Sequence, residues 1–200
     1  GYWLYAKVHN YAAIFAAIAD LGLFTITVRD IAANKDDKKY VQSLIAHVTG
    51  LRFCLWIGLW IVAILWAFFL PGYHDVTTIF AIVITQIFVV FWLIYSSYLS
   101  YLQAGFRTEC SLVSSLVGRL LTFGLMMYVA LGLVHIGWDI RLILVFLAAL
   151  IGNIVMTGVL GWYTRKFTKT SMAFSWSYFC DLVKKNSWYI GAIFFSTIFL

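Results

Sequence analysis

Residues 76–106 read VTTIFAIVITQIFVVFWLIYSSYLSYLQAGF, a run without one charged side chain. A helix needs about 20 mostly apolar residues to cross the hydrocarbon core of a bilayer, and this run is longer. The pattern repeats on both sides of it. Stretches 53–70, 120–138 and 142–164 are also free of Lys, Arg, Asp and Glu, and 186–200 is still apolar where the chain stops. Upstream, 3–28 is interrupted only by Lys7 and Asp20. None of these runs alternates in and out as barrel strands must, and each exceeds the roughly 10 residues a tilted strand needs. Unpaired backbone is too costly in lipid for anything except helix or closed barrel. The sequence therefore predicts an all-α integral membrane protein, a multi-helix bundle. Its spans fall at about 3–28, 53–70, 76–99, 113–136 and 140–163, with a further one begun at 186. Composition agrees: 64% of residues are hydrophobic and 11% charged, against about 25% charged in a soluble domain.

Orientation follows from where Lys and Arg collect, because short cytoplasmic loops carry the excess. Segment 29–52 holds Arg29, Lys35, Lys38, Lys39 and Arg52; segment 100–119 holds Arg107 and Arg119; segment 164–187 holds Arg165, Lys166, Lys169, Lys184 and Lys185. Of the 14 basic residues only Lys7 and Arg141 fall elsewhere. The expectation is a multi-pass protein of the cell membrane with its basic loops cytoplasmic. The net charge of +6 is then a matter of topology and of attraction to anionic lipid, worth about 1 kcal/mol per residue near the surface, and not of nucleic-acid binding. Trp3, Trp138, Trp162 and Trp188 fall near span ends, as an interfacial aromatic belt requires.

No zinc spacing, glycine-rich phosphate loop or nucleophile elbow occurs, so the reading assigns no catalytic residue, cofactor or metal ligand. The three cysteines are read as inert and unpaired at cytoplasmic ends, where disulfides are not expected. Within the first basic segment Val41, Leu44, Ile45 and Val48 recur at helical spacing, which predicts a short amphipathic lead-in to the next span. In the last one Met172, Trp176, Phe179 and Val183 share a face, which predicts an amphipathic linker over 165–185. Residue 1 is Gly and the final run is shorter than a span, so the chain is expected to be an internal piece of a longer protein.

Four segments then carry a resemblance: ADLGLFTITVRDIA at 19–32, YLQAGFRTE at 101–109, SLVGRLLTFGLMMYVALGL at 115–133 and LVKKNSWYIGAIF at 182–194. In order and spacing they resemble the oligosaccharide flippases of the multidrug/oligosaccharidyl-lipid/polysaccharide exporter superfamily. The resemblance implies an amino-terminal lobe (1–164) of a two-lobed transporter, an inter-lobe linker at 165–185, and the start of the next span at 186–200. It also implies transport of an isoprenoid-diphosphate-linked oligosaccharide from the inner to the outer leaflet, by alternating access, for surface polysaccharide synthesis. The implied partners are that lipid-linked oligosaccharide, membrane lipids and other polysaccharide-assembly membrane proteins. Competing readings are a drug or cation antiporter of the same superfamily, a membrane-embedded glycosyltransferase or polymerase, and a purely structural membrane component. The short outer turns argue against a glycosyltransferase or polymerase.

Ionisable groups inside spans cost about 2.5–3.5 kcal/mol on insertion scales, so each needs a reason. Lys7 projects onto one helix face with Asn10, Tyr11 and Ile14. The stretch AKVHN at 6–10 is similar to the start of the second helix of lipid II flippases, which implies that Lys7 and Asn10 face a cavity. Otherwise Lys7 snorkels to the outer surface. Asp20 shares its face with Ala6, Ala13 and Ala17, which is expected to pack against a neighbouring helix. At 1.5 Å per residue Asp20 and Arg119 lie at similar depth, which suggests an ion pair between them. In the functional alternative Arg119 contacts a phosphate or sugar and Asp20 is a proton or cation site. The candidate substrate-binding residues are thus Lys7, Asn10, Arg119 and Asp20. Gln86 and Asn153 are expected to make interhelical hydrogen bonds.

Overall fold

The computed structural model describes residues 2–166 and 173–184, apart from 21, 71, 74, 106–107, 133–136, 179 and 183. The expected last span at 186–200, and Met172, Phe179 and Val183 of the expected linker, lie outside them. Among the described residues the protein is all helical: α1 (Tyr2–Asp20), α2 (Leu23–Ala33), α3 (Lys38–Phe69), α4 (Val76–Ala104), α5 (Thr108–Met127) and α6 (Trp138–Arg165). A π-helical turn, Tyr128–Gly132, extends α5. Taking α1 with α2 and α5 with its π turn, five helical stretches are long and apolar enough to cross a membrane. This is a multi-pass membrane bundle.

Two boundaries differ most from the sequence reading, each for a physical reason, while α4 runs on to Ala104 and α5 begins at Thr108. The predicted single helix over 3–28 is divided, because Gly22 takes a left-handed conformation (φ 69°) between α1 and α2. Only glycine adopts that conformation without steric cost. The helix predicted from residue 53 begins instead at Lys38. Asp37 caps it by accepting from the backbone N–H groups of Lys39 and Tyr40 at 3.1 and 3.0 Å, satisfying two of the donors that a helix start leaves orphaned. The predicted amphipathic lead-in is thus the first part of α3 itself. Its four apolar positions, Val41, Leu44, Ile45 and Val48, are all buried against Leu23, Ile26 and Ile31 of α2.

Because lipid is as apolar as leucine, helices in a membrane associate through close packing and hydrogen bonds instead of the hydrophobic effect. The bundle shows both. α4 is its hub, packed against α1, α2, α3 and α6. Asn153 Nδ2 and Thr157 Oγ1 of α6 donate to the carbonyls of Phe88 and Phe91 of α4 at 3.0 and 3.1 Å. Trp56 of α3 donates to Gln86 O at 2.8 Å, and Tyr11 of α1 to Ala63 O of α3. The predicted interhelical role of Asn153 is therefore observed; Gln86 takes part through its backbone, while its Nε2 has no partner. α5 and α6 approach through facing glycines: a Cβ at Gly118 would collide with Gly152 O and Met156, and one at Gly152 with Thr122 Oγ1 and Gly118 O. The packing face of α1 is Val8, Ala12 and Ala19, all buried. The predicted alanine face is not it, since Ala13 is exposed and Ala17 only half-buried. Large apolar side chains instead point outward, among them Ile61, Leu65 and Phe69 of α3 and Leu116, Leu120 and Phe123 of α5. An exterior of that kind suits acyl chains and not water.

Residues 173–182, within the segment expected to be a linker, dock on α3. Ala173 N donates to Ala46 O at 3.1 Å, Gly50 leaves no room for a Cβ beneath Ala173, Leu182 is buried in the α2–α3 cluster, and the Tyr178 ring meets His47 at 4.9 Å. Trp176 is exposed. Cations sit over aromatic rings at the helix ends: Lys7 near Trp3, Arg141 over Trp138 and Lys166 over Trp162. The predicted aromatic positions 3, 138 and 162 thus coincide with helix ends; Trp188 lies outside the described residues.

Two outcomes test this packing. Gly152→Val should cost about 2–4 kcal/mol, the size of an overpacked seam with a broken backbone approach. Gly158→Ala, where a Cβ meets nothing within 4 Å, should be neutral or slightly stabilising; thermal unfolding in detergent reads both. Burial, followed by Tyr40 and Asp30, pushes the Tyr178 phenol above the ordinary tyrosine range. A raised acid pKa contributes stability that is intact below the unfolded value near 10 and is lost as pH climbs beyond it. A difference titration at alkaline pH between the parent protein and Tyr178→Phe should show one late-ionising phenol.

Candidate functional site

The four candidate residues occupy three separate places. α1 brings Lys7, Asn10, Tyr11 and Ile14 onto one face, as the helical projection predicts, and with Trp66 and Tyr73 they line a cavity of about 660 Å³. Lys7 is committed there. Its Nζ donates to Gly72 O at 2.6 Å and lies 3.8 Å from the centre of the Tyr73 ring. Gly72 itself has φ 84°, so the cation clasps the tight turn between α3 and α4. Asn10 is exposed at the same cavity.

Asp20 is paired with Arg52, not with Arg119 as depth alone suggests. Arg52 Nη2 donates to Asp20 Oδ1 at 2.6 Å, and Nη1 donates to Ser97 Oγ at 2.7 Å. Ser97 in turn donates to Leu93 O. The reason for the correction is lateral: α1 packs on α3 and α4, so residues of α3 and α4 reach the last turn of α1. The sequence reading places Arg52 in a loop only because it starts the helix after that residue. It is 1% exposed, the largest fully buried side chain described. A carboxylate at a helix C-terminus opposes the helix dipole; the guanidinium offsets this where α1 gives way to Gly22. One cost stays unmet, since Arg52 Nε has no hydrogen-bond partner.

Arg119 stands apart. It projects from α5 into a cavity of about 360 Å³ bounded by α1, α4, α5 and α6. Ser115, Gly118, Arg119 and Thr122 share this wall at spacings of three and four, the period of one helix face. Trp92 and Asn153 form the facing side. Arg119 is exposed and has no hydrogen bond or ion pair among the described residues. Sequence reasoning missed Arg52 and Ser97 as a charged knot. It also left the polar face of α5 unread, although Ser115, Arg119 and Thr122 at helical spacing in an apolar helix are a legible signal. Beside this cavity, His9, Ala13 and Ala17 of α1 face Thr85 and Trp92 across a mostly apolar space of about 340 Å³. Trp92 and Phe88 belong to both.

The fold and its site thus define a class, an all-α multi-pass membrane protein with a cationic cavity among its helices. Compared with known proteins, the chain matches no family model, no curated protein and no solved structure.

The geometry separates a structural charge from an available one. Asp20→Asn should cost about 3–5 kcal/mol, because it strands a buried guanidinium. The double change Asp20→Leu with Arg52→Met should recover most of that loss. Unfolding in detergent checks this, and a wild-type-like Asp20→Asn would show the pair to be dispensable.

Proposed function

We propose that this chain is the amino-terminal lobe of a transporter that moves a lipid-linked anionic oligosaccharide from the inner to the outer leaflet by alternating access. In this reading the protein lies in the cell membrane with its basic loops cytoplasmic. Its partners are the lipid-linked oligosaccharide, membrane lipids and other polysaccharide-assembly membrane proteins. The single observation that carries it is Arg119: a guanidinium within a membrane-crossing helix, lining a cavity, without a counter-ion among the described residues. Holding an uncompensated cation there costs about 2.5–3.5 kcal/mol, and an anion entering the cavity offsets that cost. Guanidinium meets phosphate or carboxylate oxygens in bidentate fashion, which suits a diphosphate-linked saccharide. Such transport needs no covalent step; the protein's part is to bind the headgroup, screen its charge from lipid and release it on the far side. The ordered sequence segments resembling oligosaccharide flippases support the same reading.

The antiporter reading relies on Asp20 as a proton or cation site, and the Arg52 pairing already occupies that carboxylate. Lys7 and Asn10 contribute in the proposed scheme as a second cavity, where Lys7 also holds the α3–α4 turn.

In cells making the full-length protein, Arg119→Gln should lower surface glycan at least several-fold and cause lipid-linked glycan to accumulate in the inner leaflet. Arg119→Lys should retain part of the activity, since an ammonium keeps the charge but not the fork. Normal surface glycan with Arg119→Gln, or drug sensitivity in its place, would overturn the proposal.

A further inference from the structure

His9 is an ionisable side chain that neither packing nor ion pairing accounts for. It lies about two turns from the Tyr2 start of α1, at roughly 1.5 Å per residue, in a stretch long and apolar enough to cross a membrane. It is exposed and lines the mostly apolar space of about 340 Å³ between α1 and α4. Among the described residues it makes no hydrogen bond or ion pair. Ionisable groups inside spans mark pathways for ions and protons. Histidine is the side chain whose ordinary titration changes its charge between about pH 5 and 8.

The space beside His9 adjoins the Arg119 cavity, since Phe88 and Trp92 border both. Tyr5 lines the Arg119 side and stacks on the His9 ring one turn away, with centroids 5.9 Å apart and planes 6° from parallel. The other charges nearby are engaged or face elsewhere. On α1, Lys7 and Tyr11 line the separate cavity that Tyr73 borders, and Asp20 is paired with Arg52 of α3. The α4 residues that line the His9 space, Thr85, Phe88, Val89 and Trp92, carry no charge. α6 meets Tyr5 through Phe146, while its Asp139 and Arg141 stand at its start, Arg141 over Trp138. α5 brings Arg119, which has no counter-ion among the described residues.

A proton on His9 places a second positive charge in the space next to the Arg119 guanidinium. Like charges in adjoining low-dielectric spaces repel, and an anion held beside them relieves that repulsion. We infer that His9 is a proton-binding site linked to an oxyanion site at Arg119. The protonated ring raises the affinity for the oxyanion, and the bound oxyanion raises the proton affinity of the ring by the same factor, because linkage between two sites is reciprocal. The ring takes its proton from water and returns it when the anion leaves. The inference rests on the Arg119 anion site of the transport reading and deepens it by naming a proton as the companion of the anion.

Inorganic sulfate is the probe, because its own charge is constant over this range and any pH dependence then belongs to the protein. Its equilibrium binding to the full-length protein in nanodiscs of zwitterionic lipid should be about fivefold tighter near pH 5.5 than near pH 8. Calorimetry in buffers of different ionisation heat should register a proton taken up with the anion. His9→Gln should hold the weaker affinity and His9→Lys the tighter one at both pH values, each without proton uptake. His47→Gln, where residues 173–182 dock on α3, should leave the pH dependence intact. Arg119→Gln should weaken sulfate about tenfold or more at both pH values; unchanged affinity there would remove the anion site and the inference with it. A pH dependence that survives His9→Gln would overturn the inference, as would pH-independent binding by the parent protein. If sulfate and proton binding follow His9 as inferred while Arg119→Gln leaves glycan export normal, the linked pair stands and the transport reading falls.

Discussion

Lipid offers no hydrogen bonds, so the polar groups the bundle takes into the membrane depend on partners within the protein, in their own helix or in a neighbouring one. The Arg52 guanidinium meets that need across two neighbouring helices at once, and the arrangement of four elements depends on it. One nitrogen binds Asp20 at the end of α1, another binds Ser97 of α4, and the side chain itself belongs to α3. The pair sits next to the left-handed Gly22, the point where α1 stops and α2 sets off. α2 can turn away there because the α1 terminus is anchored by charge. α2 then packs its apolar face on the first part of α3, which carries Arg52 toward α1 and α4. Pair, break and cluster are mutually dependent, and a buried ion pair in this position specifies geometry more than it supplies net stability.

The spans were legible in the sequence because nothing except lipid accounts for uncharged runs as long as 76–106. Their ends were not. The stretch from Lys38 to Arg52 mixes charges with spaced apolar residues and reads as loop followed by amphipathic turn, whereas the helix runs through it without interruption. Charge marks membrane ends only when it lies in water, and Arg52 is charge folded inward. The break at Gly22 was hidden for the opposite reason: one glycine in an apolar run is weak punctuation until its φ is known. At the candidate site, the face of Lys7 and Asn10 followed from 100° periodicity alone. The partner of Asp20 did not, since rise per residue gives depth and says nothing about which neighbour stands alongside. The polar face of α5 was within reach of the same periodicity argument that placed Lys7.

Three cationic side chains within the spans illustrate how differently a bundle can treat the same charge. Lys7 reaches back to a carbonyl and two aromatic rings at the edge of the bundle, so it is held by groups that water also reaches. Arg52 is enclosed, and its carboxylate compensates it. Arg119 has neither solution among the described residues. Charges that are structurally settled leave nothing for a ligand to do. A charge that is left open on a cavity wall is one that an entering anion can compensate.

That this wall exists follows from how α5 is attached. It is joined tightly to α6 through the Gly118–Gly152 seam and makes few contacts with α4. With the backbones of α5 and α6 drawn together, the side of α5 bearing Ser115, Arg119 and Thr122 stands away from α4, and the space between them is the cavity. Asn153 is adjacent to Gly152 in the chain, so the residue that closes the seam and the residue that bonds α4 belong to one piece of α6. Asn153 also ties that piece to α4 through Phe88 O. The close approach on one side of α6 and the hydrogen bond on the other therefore set the width of the opening between them. The seam thus governs the distance between Arg119 and Asn153 without either glycine touching what binds there.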